Sequence, residues 1–129
     1  MRPRQDAAAA LCGWTSAGER AAAGEFLFPA ALAVFTGHFP GRPLVPGVYL
    51  LATVIELAMQ ARRQALEVVA VERAKWSAPA LPGTVLSVQV AWQELAAGTL
   101  LDGTVRAGAT TVASCRIAVR AASEPAPLA

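Results

Sequence analysis

The sequence predicts an α+β domain in which a curved antiparallel sheet wraps one long central helix, and three observations lead there. Residues Gly47–Ala61 are apolar nearly all round rather than along one stripe, which marks a helix buried inside something else. From Val68 onward the hydrophobic period changes to two, with Gly- and Pro-containing breaks between the runs. Finally, 129 residues make one domain, 1–129, long enough to bury a core of its own.

Taken in order, residues 1–20 form a poorly defined N-terminal segment. Ala8–Trp14 and Glu19–Phe28 can pair as strands across Ser16-Ala17-Gly18, while the alanines suit a short helix equally well. Pro29–Val34 reads as a short helical turn. The segment Phe35–Val48 carries prolines at 40, 43 and 46. Each fixes its own φ and pushes its predecessor toward extended geometry, so a stiff non-helical loop is expected. The central helix begins at Gly47, because Pro46 suits a position at or just before a first helical turn. Arg62-Arg63-Gln64 gives it a polar exit whose positive charge complements the helix dipole.

Four strands should follow. Val68–Trp76 is closed by the turn Ala78-Pro79-Ala80-Leu81-Pro82-Gly83. Thr84–Leu95 puts Leu86, Val88, Val90 and Trp92 on one face and Ser87, Gln89 and Gln93 on the other, as a half-buried antiparallel strand does. Thr99–Arg106 returns after Ala96-Ala97-Gly98, and Thr110–Arg120 closes an antiparallel meander. Residues 121–129 read as a flexible tail.

Several function classes are excluded by composition. The net charge is only +2, and no basic run is interleaved with aromatics, which argues against nucleic-acid binding. The helix spans about 22 Å and carries an acid near its middle, too short and too interrupted to cross a membrane. With a single His and no neighbouring Cys or acid cluster, no metal site is expected. Cys12 and Cys115 fit free thiols in a reducing cytoplasm. Hydrophobic residues reach 55% and charged ones only 16%, so part of the surface should be covered by another subunit.

The same loop holds the candidate chemistry. His38, the one histidine, is held by the proline-rich segment, and the first N–H groups of the following helix have no intrahelical acceptor. One imidazole thus precedes one ready-made cradle for an oxyanion.

The stretch Gly37-His38-Phe39-Pro40-Gly41-Arg42-Pro43-Leu44-Val45-Pro46-Gly47-Val48 resembles the signature HFPxxPxxPGV of the hotdog-fold 3-hydroxyacyl-[acyl-carrier-protein] dehydratases. The flanks fit too, with a strand near Lys75-Trp76, then Pro79 and Pro82-Gly83, and a last strand around Ser114–Val119. The resemblance covers roughly Glu25–Arg120 and is strongest to the dehydratase-like proteins of aryl-polyene pigment gene clusters.

This resemblance implies a dehydratase, a lyase acting on 3-hydroxyacyl or enoyl thioesters in fatty-acid or polyketide-like biosynthesis. His38 matches the family base and the Gly47 N–H the carbonyl-polarising amide; Phe39, Pro46, Val48 and Ala52 fall on substrate-binding positions. Where the family has its acid, fourteen residues after the histidine, this chain has Ala52. The nearest carboxylate, Glu56, lies one turn further on the same face, and Glu56-Leu57-Ala58-Met59-Gln60 resembles the family's Glu-x-x-x-Gln moved by one turn. Glu56 is therefore either a substitute acid or a structural carboxylate bonded to a loop amide or an Arg. Tyr49 and Thr53 either hold a water in the space beside Ala52 or pack in the core.

No cofactor is implied beyond the 4'-phosphopantetheine that carries the substrate on acyl carrier protein. Arg62, Arg63, Arg73 and Lys75 are either contacts for that acidic carrier or a solvated basic surface. The resemblance implies a homodimer with sites at the interface, or a heterodimer with a second dehydratase subunit. Two alternative functions follow: a non-catalytic acyl-thioester-binding partner subunit, or a hotdog thioesterase in which Glu56 activates water.

Overall fold

The computed structural model describes residues 2–32 and 44–122. Within them the elements are α1 (Pro3–Ala10), β1 (Leu11–Gly18), β2 (Ala21–Phe26), α2 (Gly47–Arg62), β3 (Leu66–Trp76), β4 (Leu86–Leu95), β5 (Gly98–Ala107) and β6 (Thr110–Ala121). His38, Phe39, most of the proline-rich loop and the tail from residue 123 lie outside the described residues, as does the end of the turn expected at Pro29–Val34.

The N-terminal reading is corrected. The alanines do form a helix, and it is followed by a strand rather than replacing one. Pro3 occupies the first turn of α1, where a missing N–H costs nothing, and Ala7 and Ala10 are buried. The hairpin of β1 and β2 turns at Glu19-Arg20, not at Ser16–Gly18, and the strand pairs run from Leu11 opposite Phe26 to Gly18 opposite Ala21. Residues 1–20 thus contribute two elements of the domain rather than a poorly defined segment.

Six antiparallel strands form one sheet in the order β1-β2-β4-β5-β6-β3. Only β4, β5 and β6 make the expected meander. The Pro-Gly segment after β3 is no hairpin turn: β3 pairs with β6, and β4 pairs with β2. That connection is stitched to the far side of the fold, with the Gly83 N–H donating to the Phe28 carbonyl at 2.8 Å and the Val45 N–H to the Ala80 carbonyl at 2.8 Å.

The core sits between α2 and the concave face of the sheet. Tyr49, Val54, Leu57 and Ala58 of the helix are fully buried with Phe26, Leu86, Val88, Leu101 and Ile117 of the strands. Helix and sheet approach so closely at β5 that a Cβ on Gly103 would lie 2.4 Å from Val54 Cγ1, well inside van der Waals contact. At its far end α2 stops at Arg63, which takes the left-handed conformation (φ 51°), while Gln64 N–H caps Met59 O.

Less of the sheet is covered at β3. In an antiparallel ladder directly opposed residues share a face. Val68 opposes Val119, Val71 opposes Ile117 and Trp76 opposes Ala113, so all three stand on the helix side. Their partners are buried, yet Val68, Val71 and Trp76 are each about half exposed, as is Val48 at the start of α2. An unpaired strand edge and an uncovered apolar strip therefore coincide.

Candidate functional site at the start of the central helix

Gly47 opens α2 behind Pro46, whose φ of −60° and ψ of 147° hold the chain extended up to the first helical residue. The first acceptor in the helix is the Pro46 carbonyl, taken by the Tyr49 and Leu50 N–H groups. Among the described residues neither the Gly47 nor the Val48 N–H has an acceptor, so both project from the positive end of the helix dipole. With the indole where it lies, a side chain at position 47 would collide with it: a Cβ there would stand 2.3 Å from Trp76 Nε1 and 2.5 Å from its Cε2. Beside this contact opens a cleft of about 360 Å³ lined by Leu44, Val45, Leu50, Trp76 and residues 77–80.

Down the helix, Tyr49, Ala52, Thr53, Glu56 and Gln60 share one face at three- and four-residue spacing. Ala52 is 3% exposed and brings no polar group. Glu56 is 5% exposed and accepts a hydrogen bond from Gln60 Nε2 at 2.9 Å. Among the described residues its partner is thus a neutral amide of its own helix. The hydroxyls beside it are also committed, Thr53 Oγ1 donating to the Leu50 carbonyl at 2.7 Å and Tyr49 Oη to Asp6 Oδ2 at 2.5 Å. Burial, and then the Asp6 carboxylate, hold the Tyr49 phenol above its ordinary pKa, so it stays a donor. Both hydroxyl protons are therefore donated away from the space beside Ala52.

The basic residues divide. Arg62 is drawn into a cluster, 2.5 Å from Glu94 and stacked 5.6 Å from the Trp92 centroid, with Thr99 and Gln64 also in reach. Hydrogen bonds from Arg62 and then Thr99 hold the Glu94 carboxyl below its ordinary range. Arg62 is therefore removed from the set available to a phosphate. Arg73 and Lys75 oppose Arg116 and Ser114 on the convex face and are exposed there, with Arg63 exposed beyond the helix end.

Of the sequence candidates, the structure brings Pro46, Gly47 and Val48 together at one helix start and sets Ala52 and Glu56 further along the same helix. Sequence reasoning missed Trp76 as a neighbour of Gly47. The two register shifts of its strand, between Val68 and Ala70 and between Val71 and Arg73, cancel at Trp76, so its face follows plain alternation from Val68; what no local pattern states is that the end of β3 lies beside the start of α2. It also missed Asp6, for which no periodic signal existed.

A curved sheet around a buried helix, with unaccepted N–H groups at the helix start beside an apolar cleft, defines a hotdog domain with a site suited to polarising a carbonyl. Residues 14–115 match the model of the ApeI-like family, described as ApeI dehydratase, and the chain belongs to that family. In overall shape it is similar to the dehydratase heterocomplex ApeI:P from Xenorhabdus doucetiae, with a TM-score of 0.74, 24% identity, and 85% of this chain and 96% of that one covered. An uncharacterised protein from Erwinia carotovora subsp. atroseptica gives 0.66 at 25% identity over 88% and 97%. Among curated sequences the chain is 39% identical over 66 residues to the 3-hydroxyacyl-[acyl-carrier-protein] dehydratase FabZ of Acidiphilium cryptum (44% of this chain, 40% of that protein). It is 31% identical over 74 residues to FabZ of Variovorax paradoxus (50% and 49%). The chain thus spans less than half the length of these curated relatives.

Proposed function

We propose that the chain acts on 3-hydroxyacyl or enoyl thioesters carried by the phosphopantetheine of acyl carrier protein, as a dehydratase-like lyase. The observation that carries this reading is the Gly47 N–H, left without an acceptor among the described residues at the start of a buried helix in a chain of a dehydratase family. Dehydration removes the α-proton, breaks the β C–O bond and releases hydroxide that is protonated to water. It needs a base, a donor for the charge that builds on the thioester oxygen, and an acid. His38 is assigned as the base from its place in the motif and Gly47 as the donor. Glu56 is the only acid on this face of α2 and takes the third role.

An assembly of two subunits is part of the proposal. The open edge of β3 and the strip formed by Val68, Val71 and Val48 call for a partner that extends the sheet and covers the helix side. Arg73 and Lys75 on the convex face would meet an acidic carrier, and a cytoplasmic site of action goes with both partners.

Ala52 favours a second reading, in which this chain supplies base and amide while a homologous subunit supplies the acid. The name of the ApeI:P heterocomplex is in keeping with it.

Hydration of crotonyl and longer enoyl thioesters by the wild type and His38→Ala tests the first reading. Loss of turnover in His38→Ala is expected; equal rates in an active wild type would remove His38 from the mechanism. Light scattering at micromolar concentration is expected to return at least twice the 13.3 kDa of one chain. A monomer mass would defeat the shared site.

A further inference from the structure

The Gly47–Trp76 contact has chemistry as well as shape. Nε1 is the Trp76 atom nearest the place where a Gly47 Cβ would stand, at 2.3 Å. Because a Cβ lies about 2.5 Å from its own backbone nitrogen, Nε1 and the Gly47 nitrogen are within about 5 Å of each other. Two donors that each reach one oxygen at about 2.7–3.1 Å are separated by up to roughly 5 Å, so the two nitrogens are close enough to share a single acceptor. Indole offers a donor and no acceptor. Among the described residues the Trp76 N–H has no partner, and its ring forms a wall of the 360 Å³ cleft with Leu44, Val45, Leu50 and Pro79.

We propose that Trp76 is a second hydrogen-bond donor of this site, acting with the Gly47 amide on the carbonyl oxygen of the bound acyl thioester. The inference rests on the thioester reading above. It gives the site a two-donor oxyanion cradle in which one arm is backbone and the other a side chain from the end of β3. The indole ring, being broad and flat, also closes the apolar wall next to the carbonyl, and the absence of a side chain at position 47 is what lets it lie there.

The test separates the N–H from the ring. Trp76→Phe keeps an aromatic wall and deletes the donor, and β-(3-benzothienyl)alanine at position 76 deletes the donor with the indole outline retained, which covers a Phe variant that packs poorly. Each is titrated with crotonyl-pantetheine labelled with ¹³C at the carbonyl, the carbonyl shift is read in the bound state, and enoyl hydration is measured alongside. The expected result is a downfield carbonyl shift on binding to the wild type that is reduced in both variants, with kcat lowered about 10–100-fold and KM changed by less than about threefold. Binding with an undiminished carbonyl shift and unchanged kcat in the variants would overturn the role of Trp76 while leaving the thioester reading intact. Wild type that does not bind crotonyl-pantetheine at all would overturn that reading, and this inference with it.

Discussion

Gln60 Nε2 donates to Glu56 Oε1 at 2.9 Å, so the one carboxylate on the inward face of α2 is oriented by an amide one turn further along the same helix. Glu56 and Gln60 thus form a hydrogen-bonded pair one turn, about 6 Å, further along the helix than Ala52. Whether the acid works from there decides between the two functional readings.

Glu56→Gln keeps size and hydrogen bonding while removing the proton donor. If Glu56 is the acid, enoyl-thioester hydration should fall by about 10²–10⁴-fold, the usual contribution of general acid catalysis. Ala52→Glu gives the opposite diagnosis: in a chain whose acid is missing it should raise turnover by a similar factor, less the roughly 1–3 kcal/mol that overpacking a filled site costs. A folded Ala52→Glu protein without gain, together with a Glu56→Gln protein that turns over like wild type, would leave acyl binding in a partner-subunit role.

Helix and sheet meet with no room to spare at Gly103 and Val54. Gly103→Ala should lower unfolding stability in urea by about 1–3 kcal/mol, because the new methyl would have to displace a branched side chain fixed in the core. Adding Val54→Ala should recover part of that loss. Costs that simply add in the double variant would show that the contact is not the cause.

Tyr49 is the only tyrosine in the chain, so tyrosinate absorbance reports its titration alone. Burial and then the hydrogen bond to Asp6 raise its pKa above 10.0 in the folded state. The folded protein therefore keeps a proton that the unfolded chain loses, and the stability this provides is fully present below about pH 10 and declines as pH rises through the folded value. Tyr49→Phe should cost about 1.5–3 kcal/mol near neutrality, as loss of a hydrogen bond to a charged acceptor does, and should flatten the alkaline decline. Ionisation at an ordinary pKa in the native protein would contradict the buried pair.

Two free thiols differ in reach. Cys12 is exposed on β1, whereas Cys115 is buried in β6, where burial pushes its thiol up to about 11. A thiolate-specific disulfide reagent near pH 8 should titrate one group in the native protein and two after denaturation. Fast reaction of both in the native state would mean that β6 opens readily.

What the sequence determined by itself is local. The helix from Gly47, the strands that became β3 to β6, and the inward set Leu86, Val88 and Val90 follow from periodicity and from the punctuation of Pro and Gly, because burying one face requires a fixed repeat. The helix start with its free N–H groups was legible for the same reason, since Pro46-Gly47 specifies it in two residues. Tertiary structure decided the rest. That β4 pairs with β2 and β3 with β6 depends on which arrangement covers all of α2, and no short-range pattern encodes it. The α1 segment, an alanine run with no strong amphipathic signal, gains its burial from packing on α2 and its anchor from the Asp6–Tyr49 bond between residues far apart in the chain. Trp76 reaches Gly47 because the pairing of β3 with β6 sets the end of β3 beside the start of α2, a neighbourhood that neither segment carries by itself.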